Sequence, residues 1–345
     1  MPLILDNYQC SLSERYLEQA KRELNEDPET RLEYCQKLLD AMSISNPEII
    51  VNPDPKFLLR FLRTKKFNLD RAQEMLVQYY TMRYEEKGFQ NLTPSSIRSL
   101  IEEKIGGILP NRDKHGRTVN VFFPGKWNIE KYEAIDLLKL NFLLLESAVM
   151  DENTQVSGIA SIGNFEDHTL GHFLKFVTIA KKIGHLFDGV FPVRMKLSMM
   201  VNPPSIIGKI MSLLTTVMSK KIMSRFNIIT STDFKDELVE IFGEDCLPID
   251  FGGNDNNDYM EVSNKRLYDL EEYMQEQLKY GISTSFIRGH LLDDTRGSAE
   301  SFVNRIYKLI ADSKNFHNLP EKVSQQEILT GIDTYVVIAI REETL

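Results

Sequence analysis

The stretch that decides the fold is residues 193–218, which read VRMKLSMMVNPPSIIGKIMSLLTTVM. Apolar and polar side chains alternate over residues 193–201, which predicts a strand. Asn202 and two prolines end that strand, and proline suits the first turn of a helix because the N–H that it lacks would be unpaired there. Residues 203–218 then carry apolar side chains at helical spacing. A strand followed directly by a helix is the repeating unit of a parallel sheet covered by helices.

The same alternation extends to both sides of this stretch. Further strands are predicted over residues 118–123, 156–162 and 226–230, and helices over 129–150, 168–187 and 234–242. Gly106-Gly107 is interpreted as a turn. The first ninety or so residues instead show helical periodicity, with Asn68 as a helix cap. The fold class is therefore predicted to be α/β, with a helical N-terminal subdomain followed by a mostly parallel sheet.

These patterns divide the chain into three parts. Residues 1–90 form the helical subdomain, residues 91–255 form the α/β domain, and residues 256–345 form a C-terminal part of unknown role. The third part is predicted to hold an acidic helix over 259–280, a helix over 299–310 and a strand-like run over 335–340. Its polar composition suits contact with a protein partner, and the last three residues weakly resemble a PDZ ligand.

Composition excludes several classes of protein. The 345 residues are 42% hydrophobic and 26% charged, which is ordinary for a globular protein. No apolar run approaches the roughly 20 residues that span a bilayer, and the N-terminus lacks the basic and apolar regions of a secretory signal. Three widely spaced cysteines suit a reducing compartment. We therefore expect a cytoplasmic protein.

Charge is distributed unevenly along the chain. The net charge of −9 disfavours binding to nucleic acid. Residues 175–225 nevertheless hold nine basic residues and a single acidic one, a window of +8, so the rest of the chain carries −17. A basic face on an acidic protein indicates a localised anionic partner.

The helix over residues 203–218 has an unusual outer face. Small and mostly uncharged side chains stand opposite its apolar stripe: Ser205, Gly208, Ser212, Thr215, Thr216 and Ser219. Such a helix could move between water and an interface, although an ordinary packed helix has the same periodicity. Six of the thirteen methionines fall between residues 195 and 223. They suit either an adaptable ligand surface or simple core filling.

Two pairs of basic residues bracket this helix. Arg194 and Lys196 precede it on one side of the predicted strand, and Lys221 and Arg225 follow it four residues apart. Near an anionic leaflet each basic side chain contributes roughly 1 kcal/mol of attraction. The pairs therefore indicate reversible docking on an anionic membrane, with an ordinary solvated face as the alternative.

No catalytic or cofactor motif stands out in the sequence. It contains no nucleophile elbow, zinc-protease motif, Walker loop or dinucleotide fingerprint. His168 and His172 have the spacing of two metal ligands on a helix. No cysteine or third histidine lies nearby in the sequence, and Glu166 is the one candidate for a third ligand. An ordinary polar role at a helix start is therefore favoured. Asp151-Glu152 is interpreted as part of a solvated loop rather than a carboxylate pair. We therefore expect no enzyme activity, no cofactor and no metal.

Several short motifs, in order and correctly spaced, resemble the CRAL-TRIO family of lipid-transfer proteins. They are FLLRFLR (57–63), NLD (68–70), FPVRMK (191–196), VNPP (201–204) and LPIDFGG (247–253). The chain is most similar to the branch of α-tocopherol transfer protein, cellular retinaldehyde-binding protein and clavesins. The resemblance implies an apolar cavity between a sheet floor and a gate helix, the gate being residues 203–218.

The resemblance also implies two sets of site residues. The basic surface that binds phosphoinositide head groups in this branch matches Lys65, Arg194, Lys196, Lys221 and Arg225, whereas a further basic position is Glu74 here. The expected ligand-pocket residues are Phe142, Leu145, Ile159, Leu197, Met199, Ile207, Ile210, Met211 and Leu214.

A carrier for a hydrophobic small molecule is the function that these sites imply. The ligand would be a retinoid, a tocopherol, a carotenoid or a similar lipid, exchanged at a phosphoinositide-containing membrane by a protein that associates with it transiently. A phosphoinositide-binding adaptor or trafficking regulator without lipid transfer is the alternative. An isomerase or hydrolase acting on a lipid is a third interpretation.

Overall fold

The N-terminal region is helical because its apolar residues recur every three or four positions, and two of its helices begin at a side-chain cap. The computed structural model describes residues 8–205, 207–231 and 233–282. Its first four helices are α1 (Glu14–Leu24), α2 (Arg31–Ser45), α3 (Pro55–Thr64) and α4 (Leu69–Glu85). Asp54 caps α3, which begins with proline. The Asn68 side chain accepts a hydrogen bond from the Arg71 N–H at 3.0 Å, so its predicted capping role is confirmed.

A five-stranded sheet forms the centre of the molecule. Its order is β2 (Gly106–Ile108), β3 (Thr118–Phe122), β4 (Ile159–Asn164), β5 (Met195–Val201) and β6 (Phe226–Ile228). The last four strands are mutually parallel, and β2 is an antiparallel edge. The prediction of a mixed α/β fold with a mostly parallel sheet is confirmed.

Two details of the strand prediction were wrong. Gly106 and Gly107 are not a turn but part of β2, where a side chain on Gly106 would meet the Phe122 ring at 2.9 Å and one on Gly107 would meet Met260 at 2.9 Å. The strand expected over 156–162 begins only at Ile159. A short helix occupies the preceding residues and ends at Gly158, whose positive φ of 82° favours glycine.

Helices cover both faces of the sheet. The connections hold α5 (Arg98–Glu102), α6 (Ala134–Val149), α7 (Glu152–Ser157), α8 (Leu170–His185), α9 (Ile207–Val217), α10 (Lys220–Met223), α11 (Phe234–Phe242), α12 (Tyr259–Tyr268) and α13 (Glu271–Gln277). The expected acidic helix over 259–280 is therefore two helices. Beyond them, β7 (Gly281–Ile282) pairs antiparallel with β1 (Ile49–Ile50). The predicted helix over 299–310, the strand-like run over 335–340 and the PDZ-like terminus lie outside the described residues.

The two faces of the sheet differ in their packing. On one face, alternate residues of β3, β4 and β5 form a closed apolar core with residues of α11 and α12: Val119, Val121, Ala160, Ile162, Met199, Val201, Leu238, Phe242 and Met260. The other face lies towards α6, since Leu144 of α6 contacts the side of β2 and β3 that carries Phe122. Right-handed crossovers from β4 to β5 and from β5 to β6 put α8 and α9 on that same side. We call this second face the α9 face.

Candidate functional site

Helix α9 lies on the sheet with an inward stripe that is buried unevenly. Leu214 and Met218 are buried, and Met218 packs against Gly184 of α8. Ile207 and Met211, earlier on the same stripe, are only half-buried. The opposite side, Gly208, Ser212 and Thr215, is exposed. The helix is therefore held firmly at its C-terminal end and loosely at its N-terminal end.

The floor beneath α9 is not fully covered. Ser161 and Gly163 of β4 are half-exposed, whereas Ala160 and Ile162, which point to the closed core, are buried. Because β4 is the middle strand of five, its partial exposure arises from its face and not from an edge. Ser198 of β5, in register with Ser161, is also half-exposed. Open space therefore remains between the sheet and its covering helices.

A cleft opens at the loosely held end of α9. Its volume is about 360 Å³, and it is lined by Asn202, Pro203, Pro204, Ser205, Ile207, Thr230 and Ser231. Asn202 has a positive φ of 50°, and its amide donates to the Asn164 side chain at 2.9 Å. The turn between β5 and α9 is thus fixed to the end of β4, where the chain enters the helix.

The predicted pocket residues divide into four groups, of which the last, Leu197 and Met199, lies on the opposite face of the sheet. Ile159, Ile207, Met211 and Leu214 lie on the α9 face or on the inward stripe of α9. Phe142 and Leu145 are fully buried in α6, where Phe142 stacks on Tyr79 of α4 at 5.7 Å between ring centroids. The side chain of Ile210 lies outside the described residues.

The prediction that Leu197 and Met199 line the pocket was wrong. Both belong to the closed core on the opposite face of the sheet, so they do not face α9. Strand alternation separates side chains into two faces, but it does not say which face receives the crossover helices.

The five predicted basic residues, here called the basic patch, fall into two groups. Burial and the nearby charges of Arg194 and Arg225 lower the pKa of Lys196. Burial and the charges of Arg71 and Lys221 lower the pKa of Lys65. These mutual effects indicate that Arg194, Lys196 and Arg225 lie near one another and that Lys65 lies near Lys221, so that the cations repel their neighbours.

Two acidic residues pair with members of the basic patch. Glu23 of α1 accepts from Arg194 at 2.9 Å and from Lys196 at 3.5 Å. Although burial opposes its ionisation, these two cations lower the pKa of Glu23 to about 2. Asp188 lies 3.6 Å from Lys221. Asp188 is the single acidic residue of the 175–225 window, whereas Glu23, which sequence reasoning did not find, is 171 residues from Arg194 along the chain.

Two arginines of the FLLRFLR segment form buried ion pairs that sequence reasoning missed. Arg63 is fully buried, bonds Glu26 through two nitrogens at 2.8 and 2.9 Å, and donates to Glu152 at 2.9 Å. Arg60 donates to Glu146 at 2.8 Å. The expectation that Glu152 lies in a solvated loop was therefore wrong, because the guanidinium of Arg63 compensates its buried charge.

His168 and His172 lie close together at the start of α8. His172 shares hydrogen bonds with Thr169 at 2.7 Å and with the carbonyl of Trp127 at 2.9 Å. His168 lies beside it, with the ring centroids 5.4 Å apart, and burial together with the charge of His172 lowers the pKa of His168 to about 4. Among the described residues, no group of three or more His, Cys, Asp or Glu side chains could hold a metal ion.

Comparisons with known proteins agree with this arrangement. A family model for the CRAL/TRIO domain matches residues 102–253. A human protein named alpha-tocopherol transfer protein-like is 35% identical over 251 residues, which cover 71% of this chain and 72% of that protein. Human clavesin-2 is 29% identical over 257 residues, covering 72% and 77%. No helix within the described ranges is both long and apolar enough to cross a membrane.

Proposed function

The chain belongs to the CRAL/TRIO family of lipid-binding carriers, which are generally not enzymes, and from that premise we propose that it carries a hydrophobic small molecule between membranes. The ligand is a retinoid, a tocopherol, a carotenoid or a lipid of similar size, held between the sheet and α9 without chemical change. The observation that carries this proposal is the half-exposed floor under α9, in the middle strand of the sheet.

Helix α9 acts as the gate in this proposal. Its inward stripe is anchored by Leu214 and Met218 and loosens towards Ile207, next to the cleft. The described residues of its exposed face, Gly208, Ser212 and Thr215, are small and uncharged, so the N-terminal half can lift into the head-group region at little desolvation cost. A ligand burying about 400 Å² of apolar surface gains roughly 10 kcal/mol before ordering costs, which favours its transport inside a protein over free diffusion.

The basic patch docks the carrier on phosphoinositides. Lys221 and Arg225 follow the anchored end of α9, so docking would bring the gate to the bilayer surface. Between encounters the protein is expected to be cytoplasmic, associated with the membrane only during exchange.

Transfer between vesicles tests the proposal. The full-length protein is incubated with donor vesicles that contain radiolabelled retinol or α-tocopherol and with phosphoinositide-containing acceptor vesicles. We expect transfer well above the spontaneous rate. Vesicle binding without extraction of any lipid, from these vesicles or from the expression host, would contradict the carrier and favour the adaptor. Turnover of the lipid that depends on His168 or His172 would favour an enzyme.

Charges on the exposed face of the gate should slow this transfer. We expect Ser212→Glu with Thr215→Glu to lower the transfer rate at least about tenfold, because two carboxylates must then approach the acyl region. Ser43→Glu with Ser45→Glu, at the exposed end of α2, adds the same charge far from the gate and should leave the rate unchanged. Equal rates in both variants would show that α9 does not enter the membrane.

Removing Glu23 should strengthen membrane docking. Glu23→Gln frees Arg194 and Lys196 from their internal partner, so we expect several-fold tighter binding to anionic vesicles in a flotation assay. Glu18→Gln, on the exposed side of the same helix, is the matched control.

The same variant has a predicted pH signature. Since the pKa of Glu23 is depressed to about 2, its ion pairs contribute stability above the ordinary carboxyl pKa of 4.5 and lose it as pH falls from there towards 2. Glu23→Gln should therefore flatten the acid limb of the unfolding midpoint measured against pH. An unchanged acid limb would contradict the pairing.

A further inference from the structure

A row of polar side chains crosses the α9 face of the sheet. Asn120, Ser161 and Ser198 are register partners on the adjacent strands β3, β4 and β5. Adjacent strands lie about 4.8 Å apart, so the three side chains form a continuous line. Ser161 Oγ donates to Ser198 Oγ at 2.9 Å. Both serines are half-exposed, towards the space beneath the gate.

Asn120 ends this row with an unsatisfied acceptor. The residue is 8% exposed, and within the described parts of the chain its buried Oδ1 has no hydrogen-bond partner. An unpaired buried carbonyl is costly, and native proteins retain such groups rarely. Because Asn120 lies beside the open, partly polar floor, we expect a bound ligand to supply the hydrogen-bond donor that Oδ1 lacks.

The chemistry of the row selects one kind of head group. Hydroxyl hydrogens can rotate, so Ser198 can donate to Ser161 and Ser161 to a ligand oxygen. That ligand oxygen extends the row of hydrogen bonds to Asn120 only if it also carries a hydrogen that it donates to Asn120 Oδ1. An alcohol or phenol does both, whereas an aldehyde, an ether or a hydrocarbon leaves Asn120 unsatisfied. The nearest cation on this face of β5, Lys196, is already held by Glu23, so nothing in the row favours an anionic head.

We propose that Asn120, Ser161 and Ser198 recognise the hydroxyl group of an uncharged lipid alcohol bound under α9. The inference rests on the proposed carrier function and narrows its ligand class. The hydroxyl donates to Asn120 Oδ1 and accepts from Ser161, and the apolar body of the lipid lies against the inward stripe of α9.

Competition between matched lipids tests this assignment. Phosphatidylcholine vesicles contain equimolar retinol, α-tocopherol, cholesterol and farnesol, each with its own methyl ether. The ether keeps the skeleton and the oxygen but loses the donated hydrogen. Protein is separated by flotation, and the lipids that it carries are quantified by mass spectrometry. For whichever skeleton is bound, we expect the wild type to favour the alcohol by about tenfold.

Variants of Asn120 distinguish recognition from general packing. Asn120→Leu keeps the branched shape of the side chain and removes the unpaired carbonyl, so it should keep or raise the unfolding midpoint while the alcohol-to-ether ratio falls to near one. Asn91→Leu, at an exposed loop position, should leave the ratio unchanged. Ser161→Ala should lower the ratio less than Asn120→Leu, since the acceptor remains.

The outcomes separate this inference from the carrier function. Bound lipid with a ratio near one in the wild type, or with a high ratio that Asn120→Leu leaves unchanged, overturns the inference and leaves the carrier intact. If the wild type extracts no lipid from these vesicles and holds none from its expression host, the carrier function fails and the inference fails with it.

Discussion

Arg63→Met is expected to destabilise the protein by about 3–5 kcal/mol, because it leaves the buried carboxylate of Glu152 without its cation and leaves buried Glu26 with Arg31 as its remaining cation. Glu26 and Glu152 each lie within 2.9 Å of the Arg63 guanidinium, and both glutamates are buried. Neither can reach bulk water when the arginine is removed. The loss should appear as a fall in the thermal midpoint on the order of 10 °C.

Two further variants make this test specific. Arg63→Lys keeps the charge but loses the two-nitrogen contact with Glu26, so we expect an intermediate loss. Lys37→Met removes the cation of an exposed pair with Glu33 on α2 and should leave the midpoint almost unchanged. An Arg63→Met midpoint as close to the wild type as that of Lys37→Met would show that the carboxylates are solvated.

Lys221→Glu with Arg225→Glu is expected to weaken binding to phosphoinositide-containing vesicles by about a thousandfold. Two attractive charges are removed and two repulsive ones are added, and at roughly 1 kcal/mol per charge the change is about 4 kcal/mol. Both side chains are at least partly exposed, and the pair leaves the Glu23 contacts of Arg194 and Lys196 in place. Binding is measured by flotation at fixed ionic strength, because screening alters surface attraction.

The matched control carries the same change in net charge. Lys235→Glu with Lys265→Glu reverses two exposed residues on α11 and α12, which cover the opposite face of the sheet. We expect only a small, non-specific loss of affinity in this variant. If both double variants weaken binding equally, the attraction depends on total charge and the basic patch is not a docking site.

The strand-and-helix order was predictable because each element carries a local signal. Residues 193–201 alternate, prolines mark the start of the following helix, and Asn68 precedes a helical run, so local rules suffice there. They failed at Gly106-Gly107, where two glycines usually indicate a turn. Their role in β2 depends on the close approach of Phe122 and Met260, which lie elsewhere in the chain.

The candidate site was less predictable because its contacts are non-local. Period-two alternation places Met199 and Ser198 on opposite faces of the sheet, but it does not indicate which of the two faces is open. Leu197 and Met199 were therefore assigned to the wrong face. Glu23 contacts the basic patch across 171 positions, a distance at which sequence pattern carries no signal. Asn120 and Ser161 become a row only when strand register is known.

Filling the space under the gate tests the central claim most directly. Ser198→Trp places a large ring on the half-exposed floor and changes neither the charges of the basic patch nor the outer face of α9. We predict that the wild type extracts labelled lipid and that Ser198→Trp folds and binds phosphoinositide-containing vesicles equally well but carries less than a tenth as much. Equal lipid loads in the two proteins would contradict a ligand site between the sheet and α9.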